Sequence, residues 1–129
     1  MEFTIPLGLE YTASETVNSE NIASKYGSGL VDVFATPAMV ALMENASLNS
    51  VLPHLPNGFN TVGVGISVKH TKATPMGMKV WSKATLIEVE GKRLVFEVVA
   101  WDEAGEVGRG THTRYVIETR KFMARLAKK

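Results

Sequence analysis

Three polar side chains in this sequence have the types and spacing for nucleophilic or general-base chemistry. Thr36 supplies a hydroxyl, Glu44 a carboxylate and His70 an imidazole. Imidazole is the side chain best suited to proton transfer near neutral pH, and a carboxylate can orient it or attack directly. Each residue also has a structural interpretation: a helix cap, a glutamate on a solvent face, and a histidine that bonds locally at a strand end.

The spacing of these residues permits a relay through the histidine. Thr36 and Glu44 are eight residues apart, which is about 12 Å along a helix axis and too far for direct contact. An imidazole with a hydrogen bond of about 2.8 Å at each nitrogen spans roughly 8 Å. Because helical side chains lean toward the N-terminus, His70 could bridge the other two residues. This reasoning does not decide whether one subunit supplies all three.

A long helix is predicted from Thr36 to Leu52. Thr36 is suited to the N-cap and Pro37 to the first helical position, while Pro53 ends the helix. The first half is apolar nearly all round, so we expect it to be enclosed. Glu44 lies in this apolar run, and burying an unpaired carboxylate costs several kcal/mol, which favours a functional role.

From residue 61 onward the sequence alternates with the period of β-strands. His70 shares the face of Val64, Ile66 and Val68, so it should point toward the helix. Short turns between long strands indicate antiparallel pairing, and an enclosed helix against such a sheet is an α+β arrangement. The segment 13–30 is interpreted as a polar surface stretch. The predicted strands cover residues 5–12, the segment from 61 to His70, 78–89, 93–101 and 107–122, with turns at 75–77, 90–92 and 102–105.

Composition limits the remaining classes of function. The 129 residues form a single predicted domain, 1–129, with a net charge of +1. The basic residues from Arg120 to Lys129 are interpreted as a solvated tail, so we expect no nucleic-acid partner. The absence of cysteine excludes disulfides, zinc–thiolate sites and a cysteine nucleophile. No apolar run is long enough to span a bilayer and the first residues lack a signal peptide, so we expect a soluble, cytoplasmic protein without a membrane partner.

Two further polar residues share a face of the last strand. His112 and Arg114 are interpreted as solvent-facing, although Arg114 could also pair with a buried carboxylate or a substrate phosphate. His54 is assigned no role. The histidines and Glu44 do not have the spacing of zinc ligands, so we expect no metal site.

Four segments resemble the fluoroacetyl-CoA thioesterase family. They are VFATPAMVALME at 33–44, GVGISVKHTKATP at 63–75, EGKRL at 90–94 and GRGTHTR at 108–114. The resemblance covers residues ~30–125 in the right order and is strong for the family. It implies a hotdog fold, in which a curved antiparallel five-stranded sheet wraps around one long central helix.

The resemblance also implies an activity, an assembly and a site. The activity would be hydrolysis of a small or medium acyl-CoA, without metal or cofactor other than the coenzyme A of the substrate. The assembly would be a homodimer, able to pair further into a tetramer, with both sites along the subunit interface. The implied catalytic residues are Thr36, Glu44 and His70, and the implied substrate-binding residues are Gly63, Arg114, Leu30 and Phe34.

One departure from the family limits the implied substrate, and two alternative functions stay open. The family has phenylalanines over the acyl group, whereas the matching segment here, 26–30, has none, so the preference for fluoroacetyl-CoA does not carry over. One rival is a hotdog hydratase or dehydratase, which would use an Asp–His pair, but no pattern places Asp32 or Asp102 near His70. The other rival is a non-catalytic dimer that binds acyl-CoA.

Overall fold

The computed structural model describes residues 3–129, which form five strands and three α-helices. The strands are β1 (Glu10–Thr16), β2 (Phe59–His70), β3 (Lys79–Glu90), β4 (Arg93–Asp102) and β5 (Gly105–Glu118). The helices are α1 (Ala23–Tyr26), α2 (Thr36–Val51), followed by the 3-10 turn Leu52–His54, and α3 (Thr119–Leu126). No helix in this part of the chain is long and apolar enough to cross a membrane.

The strands form one antiparallel sheet, and α2 packs against it. The order across the sheet is β1-β3-β4-β5-β2, so β1 and β2 are its two edges. Helix α2 lies mainly over β1 and β3. The predicted α+β architecture, with one long helix on a five-stranded antiparallel sheet, is confirmed.

The core lies between α2 and the covered face of the sheet. Strand residues alternate between buried and more accessible positions, as expected for a sheet with one packed face. Helix residues at spacings of three and four meet them because such residues share one side of a helix. The buried contributors include Met39, Met43, Ala46 and Val51 from α2, Val80, Ala84 and Leu86 from β3, and Leu94, Phe96, Val98 and Ala100 from β4.

The start and the outer side of α2 differ from the prediction. Ala35 occupies the N-cap, Thr36 is the first helical residue, and the Thr36 hydroxyl makes no capping bond. In the single chain, Pro37, Ala41 and Asn45 form an uncovered strip along the helix. The expectation that the first half is fully enclosed is therefore wrong for one chain, because the sheet covers only one side of the helix.

Strand β2 is an uncovered edge with an irregular register. Gly63 lies opposite Arg114 and Gly65 opposite Thr113, so one extra residue, Val64, bulges between them. Val64 is 56% exposed and Ile66, after the bulge, is 38% exposed. The bulge removes Val64 from the face predicted for it. An edge of this kind presents unpaired backbone groups that another strand can bond.

The start of the first strand and the end of the last strand differ from the prediction. Residues 5–12 were predicted as a strand, but Gly8 adopts a left-handed φ of +87° and pairing begins only at Glu10. The last strand was predicted to run to residue 122, but β5 ends at Glu118, opposite Phe59 at the start of β2. Without a partner strand beyond that point, the chain continues as α3. The basic C-terminal segment is thus largely helical.

Glycine at position 110 of β5 allows the paired strand β2 to approach closely, which predicts a stability effect. A methyl group added at Gly110 would overlap the Ser67 carbonyl oxygen and lie 2.7 Å from the Val68 Cα. We expect Gly110→Ala to lower the free energy of unfolding by about 1–3 kcal/mol, since backbone cannot give way cheaply. Urea titration measures this effect. Gly65→Ala is the matched control, because nothing lies within 4 Å of its added methyl; equal stability of the two variants would contradict the prediction.

Candidate active site

The first part of the site is a hydrogen-bonded pair where α2 begins and β2 ends. Thr36 Oγ1 lies 2.8 Å from His70 Nδ1, and the direction of the bond depends on the histidine tautomer. His70 Nε2 is buried and has no hydrogen-bond partner in the described chain. The Phe34 ring meets the His70 ring edge-on, with centroids 6.4 Å apart. The imidazole is therefore fixed at one nitrogen and free at the other.

The environment of His70 favours its neutral form. Burial lowers the pKa of the imidazole, and its approach to the Lys72 backbone opposes that shift in part. A neutral imidazole can accept a proton, either from the Thr36 hydroxyl at Nδ1 or, in the other tautomer, from a water molecule at Nε2. Both forms of general-base catalysis are compatible with the observed pair.

A cavity of about 290 Å³ opens beside this pair, lined by Phe34, Thr36, His70 and Lys72 among others. The first hydrogen bond of α2 runs from the Met39 amide to the Ala35 carbonyl. The amides of Thr36 and Ala38 precede it and so have no partner within the helix. A carbonyl oxygen that gains negative charge is stabilised by such free amides at a helix N-terminus.

The second part of the site lies two turns further along α2. Glu44 Oε2 is 4.0 Å from both His112 Nε2 and Arg114 Nη1, and the Glu44 side chain is 42% exposed. A methyl group added at Gly63 would lie only 2.8 Å from the same carboxylate oxygen. Glycine at this position of β2 is therefore what allows the carboxylate to approach the strand.

Arg114 is held rigidly beneath that carboxylate. Its Nε donates to Thr61 Oγ1 at 2.8 Å, and its Nη2 donates to the Thr61 carbonyl at 3.0 Å. His112 Nδ1 lies 2.7 Å from the Gly65 carbonyl. Because a carbonyl only accepts, Nδ1 carries the proton, and His112 Nε2 accepts from Arg114 Nη1 at 3.2 Å. Burial, chiefly, lowers the pKa of His112, so this histidine is neutral beside a buried cation.

The structure divides the predicted catalytic residues into two groups. Thr36 and His70 come together as predicted, whereas Glu44 meets Arg114 and His112 instead. The predicted bridge from His70 to Glu44 is not made within one chain, since His70 Nε2 has no partner there. The physical reason is the helix rise between Thr36 and Glu44, which carries the carboxylate to the level of Gly63.

The remaining predicted residues fall in different surroundings. Phe34 is buried and lines the cavity, whereas Leu30 is 97% exposed and does not line it. The interpretation of His112 and Arg114 as solvent-facing is wrong, because they are only 2% and 7% exposed on the covered face of β5. The pairing of Arg114 with a carboxylate, which was the alternative, is observed with Glu44.

Supporting residues that the sequence did not reveal hold these groups in place. Thr61 binds Arg114 through two atoms, and nothing in a strand threonine signals this in advance. Thr74 donates to the buried Asp102 carboxylate at 2.7 Å, and its carbonyl accepts from the Phe34 amide at 2.9 Å. This contact fixes the segment that leads into α2.

Comparison with known proteins decides the family. Residues 17–120 match the family model described as fluoroacetyl-CoA-specific thioesterase. The chain belongs to this family. The fluoroacetyl-CoA thioesterase of Streptantibioticus cattleyicolor is 46% identical to it over 98 residues, which is 76% of this chain and 70% of that protein.

Solved structures agree with this family assignment. A fluoroacetyl-CoA thioesterase has 37% sequence identity and a TM-score of 0.90, with 98% of each chain covered. A Thermus thermophilus protein described as a thioesterase superfamily member has 28% identity and a TM-score of 0.89, with 97% of this chain and 93% of that chain covered. A hot-dog-like protein of Thermanaerovibrio acidaminovorans has 26% identity and a TM-score of 0.88, covering 96% and 92%. The hotdog fold and the assignment as a thioesterase enzyme are confirmed.

The buried histidines of the thioesterase predict how its stability depends on pH. His70 and His112 both have pKa values lowered by burial, so the unfolded chain binds protons more readily than the folded one. The free energy of unfolding should therefore fall as the pH drops through the unfolded histidine value near 6.5.

Urea denaturation between pH 7.5 and 5.5 tests this dependence. We expect His70→Asn to lose less stability over this range than the wild type. The control is His54→Asn, at an exposed position in the 3-10 turn, which should keep the wild-type slope. Identical slopes for His70→Asn and the wild type would argue against a neutral, buried His70.

Proposed function

We propose that this protein hydrolyses small or medium acyl-CoA thioesters, with His70 as general base beside Thr36. The observation that carries the proposal is the Thr36–His70 hydrogen bond at a cavity next to the free amides of α2. The family relationship supports acyl-CoA as the substrate class. The cavity of about 290 Å³ is at the small end of the usual range for ligand sites, which favours a short acyl group.

In the proposed reaction, the thioester carbonyl lies at the start of α2, where the Thr36 and Ala38 amides stabilise its oxygen. His70 takes a proton from water, or from the Thr36 hydroxyl, as the oxygen attacks the carbonyl carbon. The carbon–sulfur bond then breaks and the sulfur leaves with the proton that His70 received. If Thr36 attacks, the product is an acyl ester of Thr36, and one water molecule, deprotonated by His70, then hydrolyses that ester to release the acid and restore the hydroxyl. Direct attack by Glu44 is the alternative that the residue types allow.

We also propose that the enzyme is a homodimer joined along β2. This strand is an edge with exposed apolar side chains, and the adjacent strip of α2 is uncovered. Antiparallel pairing of two β2 edges about a twofold axis would cover both features. Apolar surface and unpaired backbone groups together provide the driving force for this contact.

The dimer explains why the site is divided within one chain. Glu44 lies at the level of Gly63, so a register that sets the partner's Gly63 opposite His70 brings the partner's Glu44 toward His70 Nε2. The half-exposed carboxylate and the unpartnered nitrogen then satisfy each other. A composite site of this kind has Thr36 and His70 from one subunit and Glu44 from the other. Roles for Gly63, Arg114 and Leu30 in substrate binding stay predictions.

The location and the cofactor requirement follow from the proposed substrate. Acyl-CoA esters are metabolites of the cell interior, which supports the cytoplasmic location expected from the sequence. Hydrolysis needs only water and the thioester, so the proposal involves no metal and no cofactor beyond the coenzyme A carried by the substrate.

Removing the proposed base, His70, or its orienting carboxylate, Glu44, should greatly reduce turnover. We expect His70→Ala and Glu44→Gln each to reduce thiol release from acetyl-CoA by about 100-fold or more, as for a lost general base. Thiol release across a panel of acyl-CoA esters measures this and defines the preferred acyl length. His54→Ala should keep the full rate, because this histidine is exposed and lies outside the site. Full activity in both site variants would refute the proposal.

Mixing two inactive variants tests whether the site is shared between subunits. In a heterodimer of His70→Ala and Glu44→Gln chains, one composite site contains only wild-type residues. After subunit exchange at equal ratio, half of the dimers are heterodimers, and each heterodimer has one wild-type site out of two. We therefore expect about a quarter of wild-type activity. A site contained within one chain would show no recovery, and a monomer by sedimentation would exclude the shared site directly.

A further inference from the structure

A second, larger cavity lies at the opposite end of β2 from His70. Its volume is about 860 Å³, and the ends of β2 and β5 and helix α3 surround it. One part of its lining, here called the floor, is apolar and aromatic, and in it Phe3 meets Phe59 edge-on with ring centroids 5.2 Å apart. Phe122 of α3 and Val116 of β5 complete this floor. The cavity therefore offers aromatic and apolar surface to a ligand.

The charged part of the lining, here called the rim, is mostly cationic. Lys92, from the turn between β3 and β4, joins Lys121 and Arg125 of α3 on its lining, together with one carboxylate, Glu118. Glu118 pairs with Lys121 at 3.3 Å. Within residues 3–129, neither Lys92 nor Arg125 forms an ion pair, since the observed pairs involve other cations. Three cations against one carboxylate leave the lining with a net positive charge.

We propose that this cavity binds the adenosine phosphate end of the coenzyme A ester. This inference rests on the proposed thioesterase function and on the proposed dimer. Adenine is a planar base that stacks on phenylalanine, while the 3′-phosphate and the diphosphate of coenzyme A are anions that lysine and arginine recognise. An aromatic floor with a cationic rim matches both features in one molecule. A fatty acid, in contrast, has no planar base and offers only one carboxylate to the three cations.

The distances assign the cavity to the active site of the other subunit. Phe59 and His70 are eleven residues apart on β2, which is roughly 36 Å along a strand and beyond the reach of a bound coenzyme A. In the proposed dimer the partner's Gly63 lies opposite His70, and the partner's Phe59 is only four residues further, or roughly 13 Å. One subunit would thus supply the base and the other the nucleotide subsite.

A charge-reversal pair tests this subsite directly. The variant Lys92→Glu/Arg125→Glu removes the two unpaired cations, and the control Arg120→Glu/Lys128→Glu makes the same charge change at exposed residues that do not line the cavity. The probe is adenosine 3′,5′-bisphosphate, measured by calorimetry with each full-length dimer. We expect its dissociation constant to rise about tenfold or more in the first variant and to change little in the control.

Kinetics supply the second readout. We expect the first variant to raise KM for acetyl-CoA about tenfold with kcat unchanged, since the contact is remote from the reacting carbon. Acetyl-pantetheine, which lacks the nucleotide, should be hydrolysed equally by the wild type and both variants.

Failure of this inference and failure of the proposed function give different results. If acetyl-CoA is hydrolysed but the bisphosphate binds the first variant as tightly as the wild type, the subsite is wrong and the thioesterase stands. If the wild type binds decanoate and not the bisphosphate, the cavity holds an acyl chain and the inference is overturned. If the bisphosphate binds through Lys92 and Arg125 but no thioester is hydrolysed, the subsite stands and the proposed catalysis fails.

Discussion

The hydrogen bond between Thr36 and His70 is the contact on which the rest of the site depends. It joins the first residue of the one long helix to the last residue of an edge strand, so it fixes how the sheet end meets the helix end. The Thr74–Asp102 pair and the Phe34 amide hold the preceding segment against the same point. A basic nitrogen is thereby placed beside free helix amides, which is the arrangement that carbonyl chemistry requires.

A second constraint keeps the carboxylate away from this base in the single chain. Arg114 is buried and bonded to Thr61, and its Nη1 lies 4.0 Å from the Glu44 carboxylate, so it attracts that anion. Glu44 therefore stays above Gly63, half exposed, rather than bending toward His70. In one chain the carboxylate and the histidine are thus held apart, and the proposed dimer is what would bring them together.

The sequence predicted elements whose pattern is set locally and missed those set by distant partners. Both bounds of strands β3 and β4 were predicted to within about one residue because one packed face imposes a period of two. The end of β5 was missed because it depends on where β2 begins, and α3 follows from the lack of a partner beyond Glu118. Thr36 was assigned to the N-cap on its type, but His70, distant in sequence, takes its hydroxyl. Similarly, His112 and Arg114 read as a solvated face because burial under α2 leaves no mark on an alternating polar strand.

Strand β2 connects these observations, because its residues contact side chains of α2 and pair with β5, which is distant in sequence. Gly63 leaves room for the Glu44 carboxylate, the bulge at Val64 shifts the face of the strand, and His70 ends the strand at its hydrogen bond with Thr36. Its two ends carry the two cavities, the small one at His70 and the large cationic one at Phe59. In a single chain these cavities are too far apart to hold one molecule. In the proposed dimer, antiparallel pairing of two such strands would bring the His70 end of one strand near the Phe59 end of the other, so the edge that joins the subunits would also position a long acyl-CoA substrate.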